Sequence, residues 1–159
     1  MPRYDIVIKK VEPIKVVSVR GVVPKPSDQD LLWRELGAYL ARQRIHPKGA
    51  SFALYHGDDH KDRDWDIEVC QQVAEDLVPT SRIKVYSLPG AETMACVIHA
   101  GPLVNIARAY DAILQWLNEN QYQIAGPGRE VYIRAAYPDG NQNDPNTMTE
   151  IQYPVEKMG

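Results

Sequence analysis

The first residue with a chemical case is Glu130, in the run Arg129-Glu130-Val131-Tyr132. Strand periodicity puts Glu130, Tyr132 and Arg134 on one face and Val131, Ile133 and Ala135 on the other, so a carboxylate and a phenol point the same way. A carboxylate taken out of water either binds its proton more tightly or holds a cation, and each aromatic face nearby adds cation–π attraction of about 0.5–2 kcal/mol. Such a pocket suits lipophilic cations. The same carboxylate, with a raised pKa, could also act as a general acid or base on water. The competing reading is an exposed Glu130 paired with Arg129 or Arg134, which periodicity leaves open. A second acidic pair, Glu68 and Glu150, lies at the start of two similar runs, EVCQQV and EIQYPV. Glu68 reads as solvent-facing on a sheet edge. Glu150 should lie one strand away from Glu130, across the loop 139–146.

The aromatic inventory supports a lined cavity. Nine Tyr and three Trp stand against one Phe, a choice of rings with hydroxyl or indole N–H groups that suits an apolar space needing hydrogen-bond partners. Other chemistry is absent or weak. The stretch from His56 to Asp64 (HGDDHKDRD) holds possible metal ligands, but its Gly and Asp content is that of a solvated hairpin loop, and no metal is expected. His99, at a strand end beside Gly101-Pro102, reads as structural. Cys70 and Cys96 stand outside any metal or redox spacing and read as small buried hydrophobes. The sequence has no nucleophile elbow, phosphate loop or dinucleotide fingerprint, so no cofactor is expected.

Composition narrows the class further. With 44% hydrophobic and 25% charged residues over 159 positions, the chain can build one well-packed domain spanning residues 1–159. A net charge of −3 and no long basic run argue against direct contact with nucleic acid. The first residues lack a signal-peptide pattern and no apolar run reaches membrane-spanning length, so the expected location is cytoplasmic, with no membrane partner.

The elements that must position these residues occur twice. Displaced by 77 positions, the segment from Trp33 to Tyr55 falls on that from Tyr110 to Tyr132 without a gap, matching Leu40 with Leu117, Gly49 with Gly126 and Tyr55 with Tyr132. With small changes of offset, Val16 to Pro24 lies on Met94 to Pro102, and Glu68 to Val73 on Glu150 to Val155. Glu130 then corresponds to Ala53, an asymmetry that a merely decorative Glu would not need. The first copy reads as a Val-rich strand at 14–23, a helix over 28–44 capped by Ser27, and strands at 51–56 and 65–73. In the second, a strand at 93–99, a helix over 102–120 and strands at 130–136 and 149–155 follow the same order. The helix face there carries Ile106, Tyr110, Ile113, Leu114 and Leu117. The expectation is an α+β fold of two β-α-β-β repeats, about 14–73 and 91–155. They are joined by a linker at 74–90 that is extended over 83–86. A pseudo-twofold axis should relate them, with helices on one face of an antiparallel sheet and a ligand cleft between the halves.

Read along its length, from YDIVIKKVEPIKVVSVRG through AGPGREVY to TEIQYPV, the chain resembles the GyrI-like small-molecule-binding family, or AraC/BmrR-type effector-binding domain. That resemblance implies tandem SHS2-type modules and a central cleft in which a buried Glu, here Glu130, meets cationic or polar-aromatic ligands. By the same match Tyr55, Tyr132 and Glu150 line or border the cleft; Trp33 and Tyr110 are further candidate walls, with core packing the commoner role for rings on amphipathic helices. In the last strand Gln152 stands where relatives carry a Tyr, and Tyr153 follows it, leaving open which faces the cleft. Such domains commonly follow a DNA-binding segment in transcription regulators, for which this chain has no room, and some stand alone. The leading expectation is a binding domain for amphipathic, cationic or aromatic small molecules. The alternative is a freestanding hydrolase of reactive drug-like compounds with Glu130 as general base, and a protein-interaction role is the third reading.

Overall fold

In the computed structural model, residues 3–57, 64–138 and 140–159 are described. Nine strands and two helices build an α+β fold on an antiparallel sheet. In chain order these are β1 (Val7–Val11), β2 (Ile14–Val23), α1 (Asp30–Arg42), β3 (Ser51–His56), β4 (Trp65–Gln72), β5 (Ile83–Leu88), β6 (Ala91–Ala100), α2 (Ala107–Glu119), β7 (Tyr122–Ile124), β8 (Gly128–Arg134) and β9 (Met148–Lys157). The sheet runs β1-β6-β9-β8-β3-β4-β2-β5, with β7 paired to β9. The segment expected to be a linker thus contributes a full strand, β5, which pairs with β2 along its length.

Strand formation follows from the β-branched and aromatic residues concentrated in β2, β3 and β4, whose side chains pack well on a pleated surface. Both helices lie on one face because their apolar residues recur at helical spacing. Leu32, Trp33, Leu36, Tyr39 and Leu40 of α1 pack on Val17, Val19, Ile67 and Val69, while Ala109, Ile113 and Leu117 of α2 pack on Ala95, Val97, Ile151 and Tyr153. Each fully buried aliphatic side chain of this set contributes about 1.5–3 kcal/mol relative to exposure. A smaller cluster of Val16, Phe52, Leu54, Cys70 and Leu88 occupies the opposite face.

Both helices begin later than their sequences suggest. A turn of 3-10 helix, Pro26–Gln29, precedes α1, and another, Leu103–Asn105, precedes α2. Ser27 does not cap α1: it lies inside that turn, and neither helix start has a side-chain cap. Pro26 sets the first φ of the turn, and the Asp28 N–H closes on Lys25 O at 3.0 Å, giving the tighter pitch. Leu114, expected on the packed face of α2, is 42% exposed.

The centre of the sheet is the β3–β8 pair. Phe52 faces Val131, Ala53 faces Glu130, Leu54 faces Arg129 and Tyr55 faces Gly128. Among the described residues no helix is long and apolar enough to cross a membrane.

Candidate functional site

Strand alternation aims Glu130 and Tyr132 of β8, and Tyr55 of β3, at the helix face, while α2 brings Tyr110 over them from above. Glu130 is 7% exposed and accepts three phenolic hydrogen bonds. Its Oε1 takes Tyr55 Oη at 3.0 Å and Tyr132 Oη at 2.9 Å, and its Oε2 takes Tyr110 Oη at short range. Burial pushes the Glu130 carboxyl above its ordinary range, opposed by the bonds from Tyr110, Tyr132 and Tyr55. Burial first, and then the Glu130 charge, also push the three phenols well up, so each keeps its proton and remains a donor.

Behind the phenols stands Gln29, a residue the sequence reading left unremarked. It is 1% exposed and hydrogen-bonded at both ends of its amide. Nε2 donates to Pro26 O at 3.1 Å and Tyr55 Oη at 3.0 Å, while Oε1 accepts from Trp33 Nε1 at 3.0 Å and lies 3.3 Å from Tyr132 Oη, whose proton goes to the nearer Glu130. Pro26 O can only accept and the indole N–H can only donate, so the orientation of the amide is fixed. Tyr55 therefore receives a proton from Gln29 and directs its own at Glu130. The signal for Gln29 was present in the sequence: at the end of the 3-10 turn, four residues before Trp33, it continues the spacing of the buried stripe Trp33, Leu36 and Leu40 of α1.

In front of Glu130 lies a cavity of about 320 Å³, bordered by Tyr55, Trp65, Tyr110, Tyr153, Gly128 and Leu114, with Glu130 as its charged group. A second space of about 200 Å³ shares Pro26, Tyr55, Ile106 and Glu130 with it and adds Gln29, Tyr137 and Gln142. Gly128 makes room between the rings: a Cβ there would stand 2.7 Å from Tyr153 Cε1. Trp65 meets Tyr55 edge-on, and Tyr153 meets Tyr110 in the same way, with centroids 6.1 and 6.3 Å apart. An aromatic enclosure around one desolvated carboxylate can hold a flat cation by charge and ring faces together.

Of the residues singled out from sequence, Glu130, Tyr55 and Tyr110 border the cavity, and Tyr132 touches Glu130 from behind. Trp33 does not border it. It stacks on Tyr137 and meets Tyr132 edge-on within the core, where its N–H bonds Gln29. Glu150 is a correction: it lies on the other face of the sheet. Register decides this, since Glu130 pairs with Ile151 and Glu150 with Val131, and neighbouring strand residues face opposite sides. Glu150 binds Lys9 Nζ at 3.1 Å and accepts from Gln152 Nε2 at 2.5 Å. The same alternation turns Gln152 away and brings Tyr153 into the cavity wall. Glu68 is not solvent-facing either. It is 4% exposed on that far face, where hydrogen bonds from His56 at 2.8 Å and Tyr86 at 2.6 Å outweigh burial and hold its pKa at about 2. His99 donates from Nε2 to Pro102 O and accepts from Tyr4 Oη at Nδ1, a structural role. Most of the polar loop after His56, Asp58 to Arg63, and with it His60, lies outside the described residues. Among the described residues no three His, Cys, Asp or Glu converge as a metal site.

The family described as "GyrI-like small molecule binding domain" matches residues 4–156. The chain belongs to the GyrI-like family. This GyrI-like domain is similar to two solved structures of EcmrR. In its isolated C-terminal domain the identity is 30% and the TM-score 0.83, covering 98% of this chain and 99% of that one. In the EcmrR–DNA complex the identity is again 30% and the TM-score 0.84, but the domain spans only 58% of that longer chain. A hydrolase encoded by lin2189 from Listeria innocua shares the fold, with 14% identity, a TM-score of 0.63 and coverage of 95% and 91%. No curated protein matches the sequence.

Proposed function

We propose that this GyrI-like domain captures amphipathic aromatic cations, with Glu130 as charge partner and Tyr55, Tyr110, Tyr153 and Trp65 as walls. The observation that carries this reading is a carboxylate buried in an aromatic cavity and, among the described residues, bonded to no basic group: its three partners there are phenols. A neutral ligand would gain little from so costly a group, whereas a cation compensates for its desolvation. The three phenols occupy most of the acceptor positions that a general base would turn toward water, which favours binding over hydrolysis.

In a longer parent, such a domain would sense effectors on behalf of a DNA-binding segment. The supporting facts are the 30% identity to EcmrR and the DNA-bound state of that longer chain. We further read the domain as a duplication about an axis between Ala53 and Glu130. Strand registers support it. Phe52 pairs with Cys70 and, 77 and 82 positions on, Arg129 pairs with Gln152; Val16 pairs with Gln72 and, 78 and 82 positions on, Met94 pairs with Pro154.

The test is calorimetric titration with trimethyl(naphthylmethyl)ammonium and with the neutral naphthylmethyl methyl ether, on wild type and Glu130→Gln, with compound integrity followed by mass spectrometry. The reading expects the cation alone to bind, unchanged, and Glu130→Gln to weaken it at least tenfold, about 1.4 kcal/mol. Equal binding of ether and cation, or consumption of the compound, would refute it.

A further inference from the structure

Glu130 is surrounded but not saturated, and the remainder points to a narrower ligand class. This inference rests on the reading of Glu130 as a cation partner. A carboxylate offers about four acceptor positions. Tyr55 and Tyr132 fill those of Oε1, and Tyr110 fills one on Oε2, which among the described residues leaves a single position on Oε2. Gln29 enforces that count. Its fixed amide gives Tyr55 a proton, so the Tyr55 hydroxyl must donate onward to Glu130; Tyr132 lies nearer Glu130, at 2.9 Å, than Gln29, at 3.3 Å. A quaternary cation has no proton to offer the remaining lone pair and would bury it without a donor. A protonated amine fills it with an N–H.

The smaller space is lined by Glu130, Tyr137 and Gln142, and the last offers a second acceptor. Tyr137 gives its one proton to Ser27 O at 3.3 Å, so the group 2.8 Å from its oxygen must be the donor end of the Gln142 amide, Nε2. The side-chain carbonyl of Gln142, Oε1, is thereby the end not bonded to Tyr137, and no described residue donates to it. Pro26, Tyr55, Ile106 and Glu130 form the boundary that both spaces share.

We propose that the site selects amines that carry an N–H⁺ between an aromatic body and a short arm ending in a hydrogen-bond donor. The ring occupies the larger space, the ammonium meets Oε2 of Glu130, and the arm reaches the Gln142 carbonyl.

Three probes of one skeleton test this at neutral pH by calorimetric titration: N-hydroxyethyl-N-methyl-naphthylmethylamine, its N-methylated quaternary salt, and the analogue with ethyl in place of hydroxyethyl. The amine should bind about tenfold more tightly than the quaternary salt, the worth of one hydrogen bond to a charged group. It should exceed the ethyl analogue by about threefold to tenfold, the worth of one neutral hydrogen bond. Gln142→Leu should erase the second difference and keep the first. Equal or tighter binding of the quaternary salt overturns the amine selectivity while leaving the cation reading standing. Indifference of the wild type to the hydroxyl overturns the Gln142 contact even if the variant fails to fold. Failure of all three probes to bind, or undiminished binding by Glu130→Gln, removes the cation reading itself.

Discussion

Replacing Gln29 by Leu tests whether the amide holds the site together. The side chain is buried at 1% exposure and makes three hydrogen bonds, to Pro26, Tyr55 and Trp33. Leucine keeps the volume and loses all three, but the losses are unequal. Tyr55 and Tyr132 retain Glu130, and Pro26 O is only half-buried. Trp33 Nε1 alone is left without an acceptor in the core, and a buried unsatisfied donor costs about 1–3 kcal/mol. The expected destabilisation is about 2 kcal/mol, which for a chain of this size lowers Tm by about 4–8 °C. Urea unfolding of wild type, Gln29→Leu, Trp33→Phe and the double variant gives the decisive number. With both partners apolar, no donor is stranded, so the double variant should be more stable than the sum of the single losses by about 1 kcal/mol or more. Strictly additive losses would show that the Gln29–Trp33 bond does not act as argued.

Gly128→Ala should weaken cation binding and cost about 1–3 kcal/mol, because the new methyl meets Tyr153 at 2.7 Å inside the cavity; titration and urea unfolding read the two effects separately. Glu150→Gln should leave cation affinity unchanged in the same titration, since that carboxylate faces Lys9 across the sheet from the cavity. Cation affinity should fall on acidification, beginning above pH 4.5: burial raises the Glu130 pKa, so the site binds a proton in competition with its ligand before an ordinary Glu would. Glu68 should behave oppositely in stability. With its pKa held at about 2 rather than 4.5, its contribution, on the order of 3 kcal/mol, is present above pH 4.5 and lost as pH falls toward 2. The stability gap between wild type and Glu68→Gln should therefore close over that range in urea titrations.

Where a property depends on neighbours along the chain, the residues announced it. Alternation over β8 put Glu130 and Tyr132 on one face, and the Val-rich run 14–23 and the run 51–56 are strands with those bounds. Properties set by neighbours across the sheet were not legible in this way. Glu150 follows a strand pattern like that of its counterpart, but which face it takes is decided by pairing with β8, and a shift of one residue reverses every side chain. Glu68 looked exposed because hydrogen bonds from His56 and Tyr86, which make its burial tolerable, come from two other strands. β7 (YQI) is short and carries no clean alternation, so it declares itself only once β9 is there to pair with it. Tyr132 and Trp33 were found for the right type of residue, yet one supports Glu130 from behind and the other packs in the core, a distinction of depth that one-dimensional patterns do not carry.

Ala53 faces Glu130 directly across the central strand pair. Opposed strand residues have their Cβ atoms about 4.5–5.5 Å apart, so a carboxylate at both places would set two like charges against each other in the same dry space, and one would be forced to stay protonated. The middle of the sheet therefore has room for one negative charge. A binding isotherm for a monovalent cation should saturate at a single equivalent per chain, however similar the two flanks of the sheet become.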